Sequence, residues 1–147
     1  MSRVRDLESC GVSDPAPMHC TVIRNCDVVE PPTGAAYFAA ISAETVGTTS
    51  LWYGLIKVAP GHRTKAHSHP HETGLYVVKG AFDVYSGDAM DESFTASERD
   101  FVLIPANVPH VAINRSTDSP VFAIVARSDP RHVEPAEMKP ELDQLVP

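Results

Sequence analysis

The sequence predicts an all-β protein, a sandwich or barrel of short strands. Three observations carry this expectation. Apolar runs rich in branched and aromatic residues recur at regular spacing, turn residues separate them, and no segment holds a helical period. The nearest approach to such a period, residues 134–145, is interrupted by Pro135 and Pro140. About eight to ten strands fit the pattern. The 147 residues contain no repeat, linker or low-complexity tract, so a single domain over 1–147 is expected.

Taken in order, residues 1–20 read as irregular, because Ser13-Asp14-Pro15-Ala16-Pro17 continues neither a helix nor a central strand. Cys20-Thr21-Val22-Ile23-Arg24 is a short β-like run, broken by Glu30-Pro31-Pro32-Thr33-Gly34. Leading strands of this kind often pair with a neighbouring subunit. The run 37–42 is the next strand, and 45–49 reads as a loop or bend. Residues 51–58 form a long strand closed by Pro60-Gly61. Both of its alternating faces are apolar, so cover on both sides is expected.

Two alternating runs, 75–80 and 81–87, meet at Gly80, which marks a hairpin or bulge. Ser93-Phe94-Thr95 is a weak strand, and Glu98-Arg99-Asp100 turns the chain into the strand 101–104. Pro105-Ala106-Asn107-Val108-Pro109 is a rigid turn. Strands at 111–114 and 121–126 follow. The last twenty residues, with Pro130, Pro135, Pro140 and Pro147, read as an arm lying along the surface or a partner.

Composition narrows the function. Hydrophobic residues make up 43%, enough for a real core. Twelve Lys and Arg face 19 Asp and Glu, and no basic cluster occurs, so nucleic acid is not an expected partner. No apolar run is long enough for a bilayer, and Met1-Ser2-Arg3-Val4-Arg5-Asp6 lacks the apolar core of a secretory signal. The expected location is the cytoplasm, with no membrane partner. Cys10, Cys20 and Cys26 are odd in number and contain no Cys-x-x-Cys, so free thiols are expected.

Three of the seven histidines alternate in His67-Ser68-His69-Pro70-His71-Glu72-Thr73. On an extended chain they share one face, and Thr73 continues the row. Imidazoles converging on one space repel when protonated and lack partners when neutral. A transition metal removes both difficulties. An exposed histidine-rich turn at Pro70 is the alternative.

Two motifs together give a family resemblance. Gly61, His67, His69 and Gly80 match the first motif of the cupin superfamily, and Pro105, His110 and Asn114 match the second. Asn107 and Arg99 stand at two Gly positions of that second motif; Asn tolerates the left-handed turn that Gly serves. The resemblance covers about 37–127. It implies a double-stranded β-helix, or jelly-roll barrel, with N-terminal extra strands and a C-terminal arm, enclosing one metal held by His67, His69 and His110.

The family's fourth ligand, Glu or Gln, falls on Thr73 here, a poor ligand. Glu72 has the chemistry but lies one step off the row; His71 keeps the parity and is the favoured fourth ligand. An all-imidazole site suits one divalent transition metal, Zn2+ first, with Fe2+, Ni2+ or Cu2+ as alternatives.

The chain is also similar to small single-domain cupin-type aromatic polyketide cyclases. The points of similarity are Glu44-Thr45-Val46-Gly47, His71-Glu72-Thr73 leading into Tyr76-Val77-Val78, and Pro140-Glu141-Leu142-Asp143. That resemblance implies regiospecific aldol cyclisation and dehydration of a poly-β-ketone chain, presented by an acyl carrier protein, in a homodimer. His67, His69 and Glu72 are the candidate catalytic groups, with Asp83 another candidate base. Trp52, Tyr53, Thr73, Leu75, Val77, Phe82 and Phe101 are the candidate cavity lining, joined by Ile56, Val84 and Phe122. A metal-dependent dioxygenase acting on an aromatic or diketone molecule, and a non-catalytic small-molecule-binding protein, are the alternatives.

Overall fold

The computed structural model describes residues 19–147. Eleven strands and two short helices run in the order β1 (Asp27–Val29), β2 (Ala36–Ile41), α1 (Ala43–Val46), β3 (Trp52–Val58), β4 (His67–Ser68), β5 (Thr73–Lys79), β6 (Ala81–Ser86), β7 (Glu92–Ser97), β8 (Phe101–Ile104), β9 (His110–Ile113), β10 (Val121–Arg127), β11 (Glu137–Met138) and α2 (Pro140–Asp143). They form two antiparallel sheets, β1-β2-β3-β10-β5-β8 and β11-β4-β9-β6-β7. After β3 the chain crosses from one sheet to the other at every step except the β6–β7 hairpin, and the two sheets close a jelly-roll barrel, as the strand pattern predicts.

The inner faces follow from alternation. In β10, Val121, Ala123, Val125 and Arg127 point inward, and in β3 Trp52 and Val58 do so. They pack with Tyr37, Ala39, Leu75, Val77, Phe82, Val84 and Val102 into the main core. Gly54 is required where it stands: a Cβ there would lie 2.2 Å from the Phe38 carbonyl oxygen. A second cluster joins Ala66, Met90, Val111, Ile113 and Val146, with Leu142 against it, and fastens the C-terminal arm to the other sheet.

Several local expectations are corrected. The run 20–24 is not a strand; β1 begins at Asp27 and pairs with β2 of the same chain. Residues 43–46 form a helical turn, because Ser42 and Thr45 make a reciprocal capping box and Gly47 closes it at φ 69°. The weak strand at 93–95 is a full partner of β6 over Glu92–Ser97. The arm contributes β11, which pairs with β4.

Among the described residues the outer face of β3 is not covered: Tyr53 and Leu55 are exposed, as are Val78, Phe101 and Leu103 on the same sheet. Cys20 and Cys26 are free and exposed, and Cys10 lies outside the described residues.

Candidate metal centre

His67 opens β4 and His110 opens β9, and the two are direct partners across that ladder. Their ring centroids are 4.4 Å apart, and His69 lies 5.9 Å from His67 and 4.9 Å from His110. One ring nitrogen from each lies within 4.8 Å of the others. All three residues are buried.

The backbone sets the tautomer of each ring. His67 Nδ1 lies 2.7 Å from the Lys65 carbonyl, His69 Nδ1 2.9 Å from that of His71, and His110 Nδ1 2.9 Å from that of Val108. A carbonyl only accepts, so each Nδ1 carries the hydrogen and each Nε2 keeps its lone pair. The Pro105–Pro109 turn supports this arrangement, since the Asn107 amide donates to the His69 carbonyl at 2.7 Å.

Burial also favours the neutral form of His67 and His110. The pKa of His67 is lowered, chiefly by desolvation, and that of His110 is pushed down to about 3 by desolvation and the neighbouring His67. Three buried, pre-oriented imidazoles are the donor set that a divalent transition metal takes. The residues present therefore fit such an ion.

His71 stands beside this triad rather than within it. Its ring stacks on that of His69, with centroids 4.6 Å apart and planes 10° apart. Its Nε2 is 2.7 Å from Glu134 Oε2. The expected row of alternate histidines holds only as far as His69, because β4 ends at Ser68 and the chain bends at Pro70 and His71. Glu72 points to solvent, which removes it as a ligand or cavity base. Asp83 is half-buried and engaged by Thr95 and Arg115, away from the triad.

The histidines face a cavity walled mainly by Ile56, Val58, Leu75, Phe82, Val84 and Val125. Its free room is about 40 Å³. A rim cleft of about 330 Å³, lined by Ser68, His69, Pro70, Asn107 and Pro135–Glu137, shares His69 with it. Of the expected lining residues, Thr73, Leu75 and Phe82 line the inner cavity, as do Ile56 and Val84.

Five of the expected lining residues do not, among them Phe122, which takes an outward position of β10. Trp52 and Val77 are buried behind the wall, while Tyr53 and Phe101 lie on the outer face, Phe101 at 83% exposure. In β8 the inward positions are Val102 and Ile104, so an aromatic at 101 points away by strand alternation.

Arg127, Glu134 and Tyr37 also line the cavity and were not singled out from the sequence. Arg127 continues the alternation of Val121, Ala123 and Val125 by one step, a signal that was present. Glu134 lies in the proline-rich segment after β10, where no periodicity marks it. Burial raises the pKa of the Tyr37 hydroxyl, so it stays protonated.

Residues 54–127 match the Cupin domain family. Over 102 residues the chain is 31% identical to polyketide synthase CurC of Streptomyces cyaneus, covering 69% of this chain and 60% of that protein. It is 37% identical to protein SchB of Streptomyces halstedii over 73 residues, 49% of this chain and 51% of that one. The matches thus span only about half to three fifths of these relatives.

Among solved structures, a double-stranded β-helix protein of Klebsiella pneumoniae superposes with a TM-score of 0.57 at 14% identity, covering 71% of this chain and 83% of that one. A cupin-like protein of Thermotoga maritima gives 0.55 at 24% identity, covering 72% and 76%. The oxalate decarboxylase of Lactobacillus farciminis gives 0.64 at 18% identity, covering 83% and 36%. At these identities the likeness is one of fold.

Proposed function

Because this chain belongs to the cupin family, we propose that it is a metal-dependent cyclase of aromatic polyketide biosynthesis. It would promote regiospecific aldol cyclisation and dehydration of a poly-β-ketone chain. The observation that carries the reading is the pairing of three buried imidazoles, each oriented by a backbone carbonyl at Nδ1, with an otherwise largely apolar cavity. Such a site suits a hydrophobic molecule bearing oxygen. The likeness to a protein named polyketide synthase CurC supports a substrate of this class.

His67, His69 and His110 would hold one divalent metal, with Zn2+ the favoured ion. When bound, it would supply a Lewis acid able to stabilise negative charge developing on a carbonyl oxygen. The chain's own residues do the rest. The inner cavity, at about 40 Å³, admits only the reacting part of a long chain, and the rim cleft of about 330 Å³ offers room for more of it. Leu75, Phe82 and Val84 exclude water and shape the fold of the substrate, which selects the carbons that meet. A methylene between two ketones is already acidic, so a modest base suffices. His69, common to both spaces, is positioned at their junction.

The proposal includes delivery of the substrate by an acyl carrier protein, in the cytoplasm. It also includes a homodimer, for which the exposed Tyr53, Leu55, Phe101 and Leu103 on one sheet provide an apolar surface. The test is to supply the protein with a poly-β-ketone chain freshly made by a minimal synthase and identify the rings formed. A single cyclised product is expected with the metal-loaded protein, and a mixture of spontaneous products with H67A. The same product from folded, metal-free H67A would sink the reading. Oxygen consumption matched to turnover would favour a dioxygenase instead.

A further inference from the structure

A divalent ion among the three rings of the triad would bring two positive charges into an apolar barrel. Arg127, 4% exposed, already places a third charge beside the same cavity. Among the described lining residues, the one carboxylate is Glu134. It is buried, and it reaches the cavity from the segment between β10 and β11.

Glu134 is fixed from two directions. Its Oε2 accepts a hydrogen bond from His71 Nε2 at 2.7 Å, and its Oε1 lies 3.7 Å from Arg127 Nη1. Arg127 is itself held firmly. Its guanidinium lies 4.4 Å over the Trp52 ring, and it donates to the carbonyls of Arg131 and His132. Those bonds shape the segment that carries Glu134. In the ladder between β10 and β5, Arg127 sits directly opposite Thr73.

On its other side Glu134 leads to a metal-facing ring. His71 stacks on His69, and the His71 carbonyl accepts the Nδ1 hydrogen of His69. Anchoring the His71 side chain therefore fixes both contacts that orient His69. One ligating atom each of His69, His71 and Glu134 lies within 4.8 Å of the others.

We propose that Glu134 is the carboxylate of this metal centre, acting as a charge-balancing and positioning residue through His71 on His69. The proposal rests on the reading of the triad as a metal site and is independent of the polyketide substrate. Outer partners that orient ligating histidines change metal affinity by about 10–100-fold when removed. The buried Arg127–Glu134–His71 chain is such a partner, and its Arg127 and Glu134 come from outside both histidine motifs.

The test is Co2+ titration of the metal-free, full-length protein, followed by visible absorption, with no substrate present. E134Q keeps the shape and removes the charge. It is expected to bind Co2+ about 10–100-fold more weakly, with a shifted d–d absorption. E134D keeps the charge and shortens the reach, and its loss is expected to be smaller, within about tenfold. Far-UV circular dichroism establishes which variants fold. Unchanged affinity and spectrum in any folded variant of Glu134 overturns the proposal. If the wild-type protein binds no Co2+, the metal reading of the triad fails first, and the two failures are thereby distinguished.

Discussion

His67 and His110 face each other across a single rung of the β4–β9 ladder, with ring centroids 4.4 Å apart. Two residues distant in sequence are thus fixed by one backbone pairing. Removing either imidazole deletes one of the three donors of the triad. H110A is expected to lose metal more severely than the ~10–100-fold typical of an outer partner. Metal content per chain after exhaustive dialysis, compared with wild type, measures it.

Acid should destabilise the metal-free protein through its histidines. Burial lowers the pKa of His67, His71 and His110, the last to about 3, against about 6.5 in an unfolded chain. Between those values the unfolded chain binds protons that the folded one does not, so stability rises with pH and falls on acidification. Each group contributes a slope of up to about 1.4 kcal/mol per pH unit. Urea unfolding between about pH 4 and 7 should show the decline, and H110Q should show a shallower one. Asp129, held at about 2 by Arg131, adds its own loss from about pH 5 downward, so that it overlaps only the acid end of that window.

Arg99 has φ 77° and is exposed. A left-handed backbone strains any residue with a Cβ, and glycine relieves the strain. R99G is therefore expected to raise stability by up to about 1 kcal/mol, read as a higher urea midpoint with unchanged slope. A lower midpoint would contradict this assignment of strain.

Asn114 is fully buried and serves the fold. Its Nδ2 donates to the carbonyls of Val58 and Ser119 at 3.1 and 2.8 Å, and its Oδ1 accepts from the Ser116 amide at 3.0 Å. N114A leaves these groups without partners and should cost about 2–4 kcal/mol. Metal affinity of the folded fraction should stay near wild type, because Asn114 touches none of the three rings. Denaturant unfolding and Co2+ titration together separate the two effects.

The sequence made the barrel readable because its strands alternate and its turns carry Pro, Gly and Asn. Asn107 does adopt the left-handed turn, at φ 63°, and so does Arg99, the less expected residue. The triad was legible because His67, His69 and His110 fall within motifs of fixed spacing. Alternation failed at two kinds of place. Pro70 bends the chain, so parity does not carry from His69 to His71. In β8 and β3, apolar residues occupy both faces, and hydrophobicity alone does not tell Phe101 from Val102 or Tyr53 from Trp52. Glu134 was hidden because its place depends on tertiary bonds from Arg127, which no local pattern encodes.

The pairing of β11 with β4 gives the site an order of assembly. The Met138–His67 rung joins residues some seventy positions apart, and the His110–His67 rung about forty. Contacts so distant along the chain carry a loop-closure entropy that local pairings do not. The three rings reach their final spacing only when the long-range His67–His110 rung has formed. Metal uptake during refolding is therefore expected to report the formation of that rung rather than of any local hairpin.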